Sequence, residues 1–182
     1  SGYSSEKNAT TFADIPVAPS SLTITTVQSA KIVITWTDNS NNETGFKIQR
    51  KGATGAYTDL TTTGANATQY SDTTVTDGIL YYYRVCATNS AGDSAYSNEV
   101  SGITPLFIPT GLTATAISSS QINLTWTDNS SSETGYKIER SPVDNLHYGE
   151  VATVGPNVTA YNDTGLTGGT KYYYRVRAYN AN

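Results

Sequence analysis

Apolar and polar residues alternate with a period of two along most of the chain, and the alternation occurs twice. Ile32, Ile34 and Trp36 alternate with Val33 and Thr35, and Ile122, Leu124 and Trp126 fall on the same phase. Phe46 and Ile48 alternate with Lys47 and Gln49, as Tyr136 and Ile138 do with Lys137 and Glu139. Tyr81, Tyr83, Val85 and Ala87 share one face of a further run, matched by Tyr172, Tyr174, Val176 and Ala178. An apolar residue at every second position is what a strand needs when one face meets a core and the other meets water. Gly, Asn and Asp separate the short runs, as tight turns require. No stretch carries a helical period. The pattern predicts an all-β chain built as a sandwich rather than a helix-containing fold.

The two halves are copies. TWTDNS stands at Thr35–Ser40 and at Thr125–Ser130, and 17 of 30 positions agree between Ser21–Arg50 and Gly111–Arg140. YYYRV at Tyr81–Val85 returns at Tyr172–Val176, so the spacing grows from 90 to 91 residues through one insertion. The expected organisation is a terminal strand over 1–15, a first domain over 16–105 and a second over 106–182. The first copy runs on past YYYRV through Ser90–Pro105, and the second has no such continuation before Asn182. The N-terminal segment offers a counterpart. Ser1–Pro16 can be laid on Ala91–Leu106, or Tyr3-Ser4-Ser5-Glu6 on Tyr96-Ser97-Asn98-Glu99. Either alignment leaves the second unit without the terminal strand that ends the first and makes the first 15 residues a spare one, with Tyr3 and Phe12 as its apolar anchors.

Composition narrows the function. Charged residues are 14%, against roughly 25% in ordinary domains. Asn, Ser and Thr together number 63 of 182, so the polar surface is mostly hydroxyls and amides. Net charge is −4 without a Lys/Arg cluster, which argues against nucleic acid and anionic membrane as partners. No apolar run approaches the roughly 20 residues of a membrane span. The absence of Met implies a processed chain or a slice of a longer one. Cys86 is the only cysteine, so no intramolecular disulfide forms; its alternation with Val85 and Ala87 predicts a side chain facing away from the core.

At the level of motifs the chain resembles the fibronectin type III family in its bacterial and archaeal extracellular form. Trp36 and Trp126 sit in the second strand of each copy. Leu166, Thr170, Tyr172, Tyr174, Val176 and Ala178 form the pattern Leu-x-x-x-Thr-x-Tyr-x-Tyr-x-Val-x-Ala, and Val75, Ile79, Tyr81, Tyr83, Val85 and Ala87 form a looser copy. Pro19-Ser20-Ser21-Leu22 and Pro109-Thr110-Gly111-Leu112 look like the start of the family's first strand. The resemblance implies an all-β fold of two immunoglobulin-like (fibronectin type III) β-sandwiches in tandem, the second lacking its last strand, and a structural core on Trp36, Tyr81, Trp126 and Tyr172, with Tyr81 and Tyr172 as tyrosine corners whose hydroxyls bond upstream backbone. It also implies that a seventh strand pairs with the sixth, which in the second copy is Tyr172–Tyr179.

Candidate chemistry is sparse. His147, the only histidine, has no second His and no Cys near it in sequence, and reads as a turn residue. No nucleophile elbow, phosphate loop or Cys-x-x-Cys occurs, which points to a protein that is not an enzyme and needs no cofactor or metal. Asp38-Asn39-Ser40-Asn41-Asn42-Glu43 and Asp128-Asn129-Ser130-Ser131-Ser132-Glu133 are rich in oxygen, but lack the Gly and distant Glu of a calcium loop. Satisfaction of turn backbone is the stronger reading for them. Seven Asn-x-Ser/Thr sequons, at Asn8, Asn42, Asn66, Asn123, Asn129, Asn157 and Asn162, would accept glycans in a suitable host. Outward Tyr82 and Tyr173 leave a polysaccharide partner open. Between the copies, Leu106, Phe107 and Ile108 stand between prolines and are expected to bury as a stiff joint, since a flexible spacer would be Gly/Ser-rich.

Three functions fit. One is a secreted or cell-surface filament or rod whose copies join head-to-tail, each N-terminal strand completing the neighbour's second domain. Another is a spacer cut from a longer tandem array. The third is an accessory segment of a secreted polysaccharide-degrading enzyme.

Overall fold

The computed structural model describes residues 2–11 and 13–182. Ser1 and Phe12, the latter expected as an anchor, lie outside the described residues. Gly2–Thr11 and Ala13–Ile15 are exposed and belong to no strand. Among the described residues no helix is long and apolar enough to cross a membrane. The chain divides into two compact units, one from Ser1–Thr25, Val33–Ser71 and Tyr81–Ser101, the other from Thr26–Ile32, Asp72–Leu80 and Gly102–Asn182.

In the first copy β1 (Ser20–Gln28), β2 (Lys31–Thr37) and β5 (Gln69–Asp72) form one sheet in the order β1-β2-β5. The facing sheet holds β3 (Gly45–Lys51), β4 (Thr58–Thr62), β6 (Leu80–Asn89) and β7 (Gly92–Asp93) in the order β4-β3-β6-β7, and β8 (Val100–Ile103) also pairs with β6. In the second copy β9 (Thr110–Ser118), β10 (Gln121–Thr127) and β13 (Ala160–Thr164) form the order β13-β10-β9. Its other sheet is β12-β11-β14, with β11 at Gly135–Ser141, β12 at Gly149–Val154 and β14 at Tyr173–Tyr179. Register repeats with the sequence. Ile48 pairs with Val85 in β3–β6, and Ile138 with Val176 in β11–β14. A register shift follows Ile48 against β4 and Ile138 against β12, so even the irregularities are copied.

The alternation dictates the cores. Ile32, Ile34, Phe46, Ile48, Tyr83 and Val85 are fully buried in the first, with Trp36 tilted against Phe46 at 5.5 Å between ring centroids. In the second, Leu124, Trp126, Tyr136 and Ile138 form the centre, and Trp126 meets Tyr136 at 5.6 Å. Tilted contacts at this spacing are favourable for aromatic rings.

The copies differ at one edge. In the first, the chain turns back after β6. Ser94 N–H donates to the Ala87 carbonyl and Ser97 N–H to the Val85 carbonyl, each at 2.8 Å, before β8 completes the edge. Among the described residues no strand pairs with the corresponding edge of β14. The second core is open in consequence. Leu22 is 1% exposed but its counterpart Leu112 is 38% exposed. Tyr83, Val85 and Ala87 are fully covered, whereas Tyr174, Val176 and Ala178 are half-buried.

Cys86 corrects the expectation from alternation. It does sit off the main core phase, yet it is fully buried. The outer face is covered there: Lys47 lies directly across the ladder and forms an ion pair with Asp93 of β7 close to the sulfur. Burial, with Asp93 next, pushes the thiol up to about 11.

Candidate functional site

The repeated TWTDNS-x-x-ETG segments, rich in oxygen, spend most of their polar atoms within the chain, although Glu43 Oε2 is buried without a hydrogen-bond partner. Asp38 Oδ1 accepts from Ser40 N–H, and Asp128 Oδ1 from Ser130 N–H, both at 2.9 Å. Asn39 Nδ2 donates to the Ala18 carbonyl and Ser20 Oγ at 2.9 and 3.0 Å; Asn129 Nδ2 does the same to Ile108 and Thr110 at the same distances. These two amides clamp the chain where the first strand of each sandwich starts. Glu43 Oε1 accepts from Asn66 N–H and Glu133 Oε1 from Asn157 N–H, each at 3.1 Å. Asn66 and Asn157 have φ of 58° and 59°, a left-handed conformation that Asn tolerates better than most residues. Backbone N–H groups of Glu43 itself and of Asn66 hold the Glu43 carboxyl below its ordinary range. A Cβ on Gly45 or Gly135 would meet the Thr63 or Val154 carbonyl oxygen at 2.1 Å, which accounts for the glycine ending each motif. Among the described residues no three His, Cys, Asp or Glu side chains gather around a point where a metal could sit.

Other candidates are placed as follows. His147 Nδ1 lies 2.8 Å from Asp144 Oδ2 in an exposed turn, where Asp144 also caps the N–H groups of Leu146 and His147. Trp36 and Trp126 are 4% and 5% exposed, and their indole nitrogens have no hydrogen-bond acceptor. Tyr81 is buried, whereas Tyr172 is half-buried, because β8 flanks β6 and nothing described flanks β14. The Tyr172 hydroxyl accepts from Thr167 N–H at 3.0 Å, the upstream bond of a tyrosine corner. Tyr3 is fully exposed.

In the linker Leu106 is half-buried, but Phe107 and Ile108 are exposed, so the expected burial of all three side chains does not occur. Ile108 is fixed instead through its carbonyl, by Asn129. Of the sequons, Asn8, Asn66, Asn157 and Asn162 are exposed, and Asn123 is half-buried in β10. Asn42 and Asn129 are exposed too, but spend their amides on the Asp14 and Ile108 carbonyls.

Two arrangements were not read from the pattern. Asp163, 3% exposed, takes both its oxygens to Arg140 Nη1 at 3.0 and 2.8 Å and accepts from the Tyr174 hydroxyl at 2.7 Å. Its signal was the repetition of Arg50, Asp72 and Tyr83 at matching positions. The second is a stack on the outer face of the first copy. The Arg84 guanidinium lies between the rings of Tyr57 at 4.1 Å and Tyr96 at 3.7 Å. Lys51 lies over Tyr57 and Tyr82, and the Tyr57 hydroxyl donates to Glu99. In the second copy Arg175 lies over Tyr148 alone, at 4.3 Å, with its side chain 60% exposed. Tyr173, the other outward tyrosine, is covered by Lys171 at 4.8 Å.

A cavity of about 120 Å³ lined by Ala116, Ile122, Leu166 and Tyr172 lies below the roughly 300 Å³ at which ordinary ligand pockets begin, and an open cleft of about 360 Å³ lined by Gly78, Ile103, Leu106, Ala178 and Tyr179 lies just above it. The molecule defines a class: a pair of β-sandwiches whose polar loop side chains hold the ends of their own strands.

Residues 17–103 and 107–182 each match the Fibronectin type III domain family, and the chain belongs to that family. A two fibronectin type III domain segment from chicken tenascin superposes with a TM-score of 0.80 at 16% identity, covering 90% of this chain and 91% of that one. Exoglucanase B of Cellulomonas fimi is 28% identical over 178 residues. That match takes in 90% of this chain but only 15% of the exoglucanase, so the chain spans a small part of its relative's length.

Proposed function

We propose that the chain is a non-catalytic structural module of an extracellular protein. The observation that carries this is the inward use of its polar side chains: both repeated acidic loops spend most of their polar atoms in holding strand ends. The composition supports it as well, with low charge and no cluster of Lys and Arg along the sequence. The similarity to part of a bacterial exoglucanase favours a secreted setting and a spacing role beside a polysaccharide-degrading domain.

A second reading is favoured by the open edge of β14 together with the exposed N-terminal segment. In it the chain is a filament subunit whose copies join head-to-tail, each N-terminal strand completing the next copy's second sandwich. An edge strand with free donors and acceptors beside an open core is a template for strand addition. Purified chain would be tested for glucan hydrolysis and glucan binding, and its mass followed against concentration by sedimentation. The structural reading expects no turnover. Growth of head-to-tail polymers selects the filament; a monomer at all concentrations selects the spacer.

A further inference from the structure

The first copy shows what a seventh strand does beside β6, and this allows the donated strand to be placed by residue. Ser94–Thr104 is the template. Ser97 Oγ accepts from Val85 N–H at 3.1 Å while Ser97 N–H donates to the Val85 carbonyl. Tyr96 stacks on Arg84, Glu99 takes the Tyr57 hydroxyl, and Asn98 brackets both N–H and carbonyl of Leu22 at 2.9 Å. Thr104, fully buried, donates from Oγ1 to the Thr76 carbonyl and accepts from Ile79 N–H. Each acceptor has a counterpart in the second copy: Val176 for Val85, Arg175 for Arg84, Tyr148 for Tyr57, Leu112 for Leu22, Thr167 and Thr170 for Thr76 and Ile79.

Ser1–Thr11 laid on Ser94–Thr104 agrees at five of 11 positions: Ser1, Tyr3, Ser4, Glu6 and Thr11. Tyr3, Ser4, Glu6 and Thr11 correspond to residues whose side chains make the template's contacts. The other gapless alignment, Ser1–Pro16 on Ala91–Leu106, brings Glu6 to the place of Tyr96 and Tyr3 to that of Asp93. The stack then decides between them. Arg84 donates through Nε to Gln49 and is held between two tyrosine rings; Arg175 pairs through Nε with Glu139 and has Tyr148 alone over it, its side chain 60% exposed.

Resting on the filament reading, we infer that Gly2–Thr11 of one copy lies antiparallel along β14 of another in the register that sets Tyr3 on Arg175. Ser4 then bonds the Val176 backbone, Glu6 accepts from the Tyr148 hydroxyl, and Thr11 enters the turn at Thr167–Thr170. Ser5 stands where Asn98 does and is too short to bracket Leu112 on both sides, so the donated strand is held more weakly there.

The test is a pair of double-mutant cycles on the full chain, read as the concentration at half-assembly in sedimentation. Tyr3→Ala is an exposed change; Arg175→Ala also releases Glu139, which Arg177 still faces at 3.5 Å, so each variant is first matched to the parent chain by circular dichroism. Each is expected to raise that concentration about 3- to 30-fold, the range of a cation–π contact between exposed and desolvated limits. The double variant should be no weaker than the worse single one. The Thr11→Val and Arg175→Ala pair, which share no contact in this register, should show no such coupling. Coupling of Thr11 with Arg175, or assembly indifferent to Tyr3, overturns this register while leaving the filament standing. A chain that never assembles overturns the filament reading, and the register with it.

Discussion

At the scale of single residues, the alternating positions carry most of the stability. Trp36 is 4% exposed and packs on Phe46. Trp36→Ala is expected to cost about 3–5 kcal/mol as a large-to-small core change, seen in denaturant titration as a fall in midpoint with an unchanged slope. An unmoved midpoint would remove Trp36 from the core. Cys86 makes a separate prediction. Burial raises its folded value to about 11, above the roughly 8.5 of an exposed thiol. The folded state therefore holds the proton longer than the unfolded state does. This contribution is fully present below about pH 8.5 and is lost as pH rises towards 11. Native protein should resist thiol reagents at pH 8. Between pH 8.5 and 11 it should lose stability more steeply than Cys86→Ala, and equal slopes would rule the effect out. Alternation located this residue on the outer phase but could not say what covers that phase. The cover comes from Asp93, distant from Lys47 in sequence, drawn over by the ion pair.

At the scale of elements, strands and their pairing were legible because each run needs only its own period-two pattern and its copy. Less legible were contacts between positions far apart in sequence, such as Asn39 with Ala18 or Asp163 with Arg140. A turn-forming Asn and a clamping Asn look alike in one dimension. Repetition in both copies was the usable signal. Gly135→Ala tests the clamp loop. Its new Cβ must displace the Val154 carbonyl, which sits 2.1 Å from the ideal position. The expected cost is about 1–3 kcal/mol, read as a lowered melting temperature, and a neutral change would show that β12 can yield. The open edge makes a second prediction. Val85 and Ala87 N–H groups bond to Ser97 and Ser94 side chains. Their counterparts, Val176 and Ala178, point to the unpaired side of β14. In unassembled protein the amides of Val176 and Ala178 should exchange with solvent far faster than those of Val85 and Ala87. Equal protection would mean that something already covers this edge.

At the scale of the whole molecule, two copies of one fold carry unequal cores. Burying an apolar side chain fully is worth roughly 1.5–3 kcal/mol, and the second copy leaves Leu112, Tyr174 and Val176 partly in water where the first covers Leu22, Tyr83 and Val85. The second sandwich should therefore unfold first. Each copy holds one tryptophan, so Trp36→Phe leaves Trp126 to report on the second and Trp126→Phe leaves Trp36 to report on the first. Heating unassembled chain should give a lower midpoint for the Trp126 signal than for the Trp36 signal. A strand that binds only the folded second sandwich adds stability by mass action, so the lower midpoint should rise with the concentration of that strand while the upper one stays fixed. A synthetic peptide spanning Ser1–Ile15, added in excess, is the direct means of supplying it. A single coincident transition would show that the open edge costs the second copy nothing. A lower transition that ignores the peptide would show that this segment is not the strand the edge accepts.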